Sequence, residues 1–99
     1  MRPKASFVIE KVKELPDIFK EGVMYVIYWE DNKFWMAAYL CPCGCGNKTQ
    51  LPINGFDDKH NWNFTEQNGL PTLSPSILKS DPKGCMSHYF IVKGQVIWC

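Results

Sequence analysis

Three of the five cysteines in this 99-residue chain fall within Cys41-Pro42-Cys43-Gly44-Cys45-Gly46. Thiolates on one tetrahedral zinc lie about 3.8 Å apart, given Zn–S near 2.3 Å. Alternate side chains of an extended strand stand about 6.5–7 Å apart. The run must therefore curl to bind a metal. Pro42 fixes one φ, and Gly44 and Gly46 can take the cramped conformations a turning loop needs. Cys85 follows Gly84 at the opening of a later hairpin and is the natural fourth ligand. Cys41, Cys43, Cys45 and Cys85 then form a closed Cys₄ set for a structural Zn²⁺. Two variants stand beside it. His88 could replace one thiolate, or one position could be left to water, which would make the metal catalytic. Buried apolar cysteines or an oxidised pair would need no metal. Cys99 reads as a spare thiol.

A second constellation carries hydroxyls and one imidazole. A serine hydroxyl is a poor nucleophile near neutral pH until an adjacent base takes its proton, and imidazole suits that task. Ser74 and Ser76 share one face of the stretch Leu73-Ser74-Pro75-Ser76-Ile77, whereas Ser87 and His88, as strand neighbours, point to opposite faces. Ser76 with His88 is therefore a better geometric pair than Ser87 with His88. A packed or surface histidine and a Ser-Pro-Ser loop are the bland alternative. His60, between Lys59 and Asn61 in a polar loop, reads as solvent-facing, and both it and Cys99 are expected to be dispensable.

These residues need a frame, and the pattern is one of strands. Val23 to Trp29 is a dense β-branched and aromatic run; Glu30-Asp31-Asn32-Lys33 turns it into Phe34 to Leu40, which leads to the cysteine loop. His88 to Val92, a Lys93-Gly94 turn and Gln95 to Trp98 make a second hairpin. Ser6 to Val12 reads as an edge strand. Thr49 to Ile53 is a short strand that Pro52 confines to an edge or an end, and Trp62 to Thr65 is another. Leu70 to Ile77 alternates but carries two prolines, so it reads as extended rather than as a central strand, with an edge open to strand addition. Leu15 to Gly22 reads as a single helical turn stopped by glycine. The expectation is a mainly β fold, small α+β at most: one compact zinc-stabilised domain over residues 1–99 with two β-hairpins.

Composition narrows the function classes. The net charge is +1 with no basic block, so a phosphate-tracking surface is not expected. Aromatic residues make up 14% of the chain, enough for a packed core. The N-terminus lacks the form of a signal peptide, and no apolar stretch is long enough to span a bilayer. An odd number of cysteines, three of them clustered, fits a reducing cytoplasm with a metal better than a secreted disulfide framework.

Several segments together resemble one family. They are Leu15-Pro16-Asp17, Gly22-Val23-Met24-Tyr25-Val26, the cysteine run followed by Leu51-Pro52-Ile53, the Trp62 segment, Leu73 to Ile77, Cys85-Met86-Ser87-His88-Tyr89-Phe90-Ile91, and Gly94 to Trp98. The family is small, bacterial and phage-borne, long labelled a domain of unknown function. Its members often sit beside ubiquitin-like proteins and their E1- and E2-like enzymes in conjugation operons. The resemblance implies a serine peptidase with a zinc-supported fold that processes or deconjugates the ubiquitin-like protein. Residue by residue, the family's Pro-Ser-Ile serine falls on Ser76, its CxSH histidine on His88, and its cysteines on Cys41, Cys43, Cys45 and Cys85. This chain departs from the pattern in its longer link, Leu78 to Gly84. The orienting third group would be Asp57, Asp58 or Asp81. Two rival functions remain: a non-catalytic zinc-binding adaptor in a ubiquitin-like conjugation or phage-related system, and a zinc-dependent hydrolase using metal-bound water.

Overall fold

The β-branched and aromatic runs fold as strands. In the computed structural model, which describes residues 5–30, 33–44, 46–54, 62–78 and 88–99, they are Val8–Val12 (β1), Val23–Glu30 (β2), Lys33–Leu40 (β3), Lys48–Pro52 (β4), Asn63–Gln67 (β5), Leu70–Leu78 (β6), His88–Val92 (β7) and Gln95–Trp98 (β8). They form two four-stranded sheets, ordered β1-β2-β3-β4 and β5-β6-β7-β8. All neighbours are antiparallel except β1 and β2, which run parallel. Bridges from Ser6 to Gln95 and from Ile53 to Trp62 tie the outer edges of one sheet to those of the other. The eight strands thus close into a ring, which leaves few free edges to template aggregation.

Turn chemistry sets the registers. Asn68-Gly69 and Lys93-Gly94 take positive φ at both positions, 55° and 77°, then 48° and 80°. That twist is what a two-residue hairpin requires. The turns place Gln67 opposite Leu70 and Val92 opposite Gln95. At Gly94 the glycine is needed twice over, because a Cβ there would sit 2.6 Å from the Phe7 carbonyl oxygen. The same backbone closes the ring, since Phe7 N–H donates to Gly94 O and Gly94 N–H donates to Pro71 O.

Alternate residues of the two sheets face inward as one core, including Val26, Tyr39, Leu51, Leu73, Ile77, Tyr89 and Ile91. At its centre the hydroxyls of Tyr39 and Tyr89 are hydrogen-bonded at 2.8 Å, both residues fully buried. β2 does not alternate, because its outer face is covered as well. Phe19, from the segment joining β1 to β2, packs on Tyr25 and Ala38 there, with ring centroids 5.0 Å apart in the Phe19–Tyr25 pair.

Two expectations are corrected here. The Leu15–Gly22 stretch forms bends and a turn, not a helical turn, and no helix occurs among the described residues. A lone turn of helix fixes six dihedrals for one hydrogen bond, whereas this segment is anchored by seating Phe19 as it crosses to a parallel strand. The Leu70–Leu78 stretch is a central strand, with β5 on one side and β7 on the other. From Leu70 to Ser74 the edge proposed for strand addition is already paired with β5. The sheet keeps Pro71 because its carbonyl still accepts, and it accommodates Pro75 by a break in register.

The tyrosine pair makes a double-mutant prediction. Tyr39→Phe and Tyr89→Phe should each cost about 1–2 kcal/mol in urea unfolding, with the double variant milder than the sum. Burial, then the adjacent Tyr89 and its hydrogen bond, then Cys41, hold the Tyr39 hydroxyl well above its ordinary pKa of 10.0. The unfolded chain sheds that proton near pH 10 and the folded chain keeps it, so stability present below pH 10 falls as pH rises further. Unfolding midpoints measured between pH 9 and 11 should fall less steeply in Tyr39→Phe than in the parent.

Candidate functional site

Leu73 lies opposite Ile91, but Ile77 lies opposite Tyr89. Ser74, Pro75 and Ser76 of β6 therefore face the single residue Phe90 of β7. This bulge has a local cause, since Pro75 has no N–H to give the ladder. Leu73 and Ile77, buried to 1% and 2% exposure, pin its two ends to the core. Sliding the strand by one residue would bring both into water, at about 1.5–3 kcal/mol each.

The bulge re-aims Ser76. Its Oγ lies 2.9 Å from Nε2 of His88, the first residue of β7. Register alone leaves the two diagonal, because the residue directly opposite His88 is Leu78. Trp62 braces the serine from behind, its indole N–H donating to the Ser76 carbonyl at 3.4 Å. Trp62 is itself fixed by backbone bonds to Pro52 and Asn54 beside β4. Both sheets thus position one hydroxyl. Ser76 is half-buried and His88 exposed, so the pair is reachable from solvent on the outer face of the second sheet. For Nε2 to accept from the serine, the imidazole would have to be neutral with its proton on Nδ1.

The cysteine loop joins β3 to β4 and curls as metal binding requires. Gly44 N–H donates to Cys41 O at 3.2 Å, and Cys41 N–H donates to Asn47 O at 2.8 Å, closing the loop at its base. Gly44 and Gly46 take φ of 90° and 82°. The Cys41 and Cys43 sulfurs come within 3.3 Å of each other. That is slightly inside the edge of a tetrahedral zinc–thiolate site and about half the spacing of an extended strand. These two thiols could supply two ligands to a metal, and among the described residues no group of three or more His, Cys, Asp or Glu forms. Cys45 and Cys85, the remaining expected ligands, lie outside the described residues, as do Ser87, His60, Asp57, Asp58 and Asp81.

Sequence reasoning missed one neighbour. Cys99 N–H donates to His88 O at 2.9 Å, so the backbone of Cys99 lies across the strand pair from that of His88, its free thiol exposed. The signal was available: a two-residue turn at Lys93-Gly94 pairs 92 with 95, and counting outward pairs 88 with 99. Among the described residues, no helix is long and apolar enough to cross a membrane.

Comparison with known proteins adds one finding. The model of a family described as bacterial ubiquitination-like system serine protease (BubE) matches residues 11–99. No curated protein and no solved structure matches the chain.

Proposed function

We propose, because the chain belongs to the bacterial ubiquitination-like system serine protease (BubE) family, that it is a zinc-stabilised serine peptidase that processes or deconjugates a ubiquitin-like protein. The observation that carries this reading is the 2.9 Å approach of Ser76 Oγ to His88 Nε2. In the proposed reaction His88 takes the hydroxyl proton as Ser76 attacks the scissile carbonyl, then gives it to the leaving amine. Water, deprotonated by the same imidazole, releases the acyl group. Backbone N–H groups next to Ser76 would steady the oxyanion, since a bulge frees main-chain donors from the ladder. A carboxylate among Asp57, Asp58 and Asp81 would receive the Nδ1 proton's hydrogen bond and hold the tautomer.

Cys41, Cys43, Cys45 and Cys85 would hold the Zn²⁺. Bound there, the metal would tie the β3–β4 loop to the segment that leads into His88, contributing to folding rather than to the reaction. The partners would be a ubiquitin-like protein or its conjugates and, in the same system, E1- and E2-like proteins. The setting would be the cytoplasm, where thiols stay reduced.

Two measurements test this reading. Cleavage of a ubiquitin-like fusion should fall at least about 10³-fold in Ser76→Ala and in His88→Ala, the double variant being scarcely worse than either. Full cleavage by Ser76→Ala, stopped at once by chelator, would replace the serine with metal-bound water. For the metal, purified protein should carry one zinc per chain, and Cys43→Ser or Cys85→Ser should aggregate or unfold. Metal-free protein with unchanged stability in chelator would remove the zinc from the proposal, whereas a His88→Ala variant that loses zinc would make His88 a ligand of a Cys₃His site and remove it as the base.

A further inference from the structure

The outer faces of the two sheets are unlike. The first is covered in part by the chain itself, where Phe19 packs on Tyr25 and Ala38, although Val8 and Trp29 of the same sheet are exposed. The second, which carries Ser76 and His88, is open. His88, Phe90 and Val92 are alternate residues of β7 and share that face, and Ile97 of β8 lies directly opposite Phe90. Phe90, Val92 and Ile97 are 41%, 38% and 50% exposed, which makes them a contiguous apolar patch on a solvent face. Outward positions of an antiparallel sheet are normally polar. Here the described outward-facing residues of β5 to β8 include no Asp, Glu, Lys or Arg.

The patch is continuous with the candidate site. Phe90 is the residue that Ser74, Pro75 and Ser76 bulge against. Along β7 it stands two residues from His88, about 6.5–7 Å, the spacing between alternate side chains of an extended peptide. Val92 lies one such step further.

We infer that Phe90 and Ile97, extended by Val92, form an apolar subsite that receives alternate aliphatic side chains of an extended, uncharged substrate segment next to the scissile bond. This rests on the proposed peptidase function and names the chemistry its substrate must have. From Leu70 to Ser74 β6 is already paired with β5, so the segment is placed across the sheet face, where Phe90, Val92 and Ile97 are exposed. Apolar contact supplies the preference, and an acidic or basic side chain set on Phe90, Val92 and Ile97 would lose hydration against carbon.

Binding rather than turnover tests the subsite, so that it stands or falls apart from the catalytic reading. The probe is a fluorescein-labelled octapeptide of Ser, Thr and Gly with Leu at two alternate positions, titrated against Ser76→Ala protein by anisotropy. It should bind about tenfold or more tightly than the same peptide with Glu or Ser in place of Leu. Adding Phe90→Ser or Ile97→Ser should erase that difference, two separate exposed positions guarding against a fold defect at either. Equal affinity for the Leu and Ser peptides, or a preference that survives both substitutions, would overturn the subsite. So would a wild-type dimer in sedimentation that Phe90→Ser dissociates, since the face would then belong to a second copy of the chain.

Discussion

The hydrogen bond between Tyr39 and Tyr89 is the contact on which the two halves of this molecule depend. Two phenols meet at 2.8 Å in a largely apolar core, one from each sheet, with Thr49 the buried polar neighbour opposite Tyr39. A buried hydroxyl without a partner costs about 1–3 kcal/mol, so each sheet satisfies a polar group of the other only when both are in place. Rings pack around the pair, Phe7 edge-on to Tyr39 and Trp98 edge-on to Tyr89. The position matters as much as the energy. Tyr39 precedes the cysteine loop by one residue, and Tyr89 directly follows His88. The bond thus links the strand that delivers the thiols to the strand that begins with the imidazole.

Against that fixed centre, one proline creates the irregularity. The register of Ile77 opposite Tyr89 leaves Ser76 diagonal to His88, whereas the register of Leu73 opposite Ile91 would run Ser76 opposite it, and the strand changes from one to the other between them. Pro75 cannot donate, three residues bulge against Phe90, and the hydroxyl comes within hydrogen-bond reach of the ring. Leu73 and Ile77 confine the distortion to the residues between them. A regular sheet with a single local fault is a stiffer mount for a side chain than a loop would be, because the flanking ladder over-determines the backbone.

Much of this was legible from residue types. The dense run before Glu30 and the Lys93-Gly94 turn identify two hairpins whose strands appear nearly where expected, and Pro52 does end an edge strand. Face parity singled out Ser76 rather than Ser87 as the neighbour for His88, and the structure brings Ser76 and His88 together. What was not legible came from tertiary context overriding local rules. Two prolines argue against a central strand, yet β6 is central, because its buried side chains outweigh the lost ladder bonds. Leu15 to Gly22 has a helical look that the need to seat Phe19 overrules. Asn68-Gly69 makes a third tight hairpin, which joins the short β5 to the proline-bearing β6.

The openness of the site bears on the kind of substrate such a fold could serve. A Ser–His pair gains strength when water is excluded, because charge developing on the imidazole and the oxyanion is then met by fixed dipoles in a low-dielectric setting. Among the described residues, the interior between the two sheets is filled by side chains. His88 lies in solvent, and the apolar residues beside it are about half exposed. A substrate surface broad enough to cover His88, Phe90 and Ile97 together would supply that exclusion. A small amide would leave the pair wet, whereas a folded protein with an extended tail could seal it. On these grounds the open face favours a macromolecular substrate and makes docking itself the step that turns a hydrated serine into an effective nucleophile.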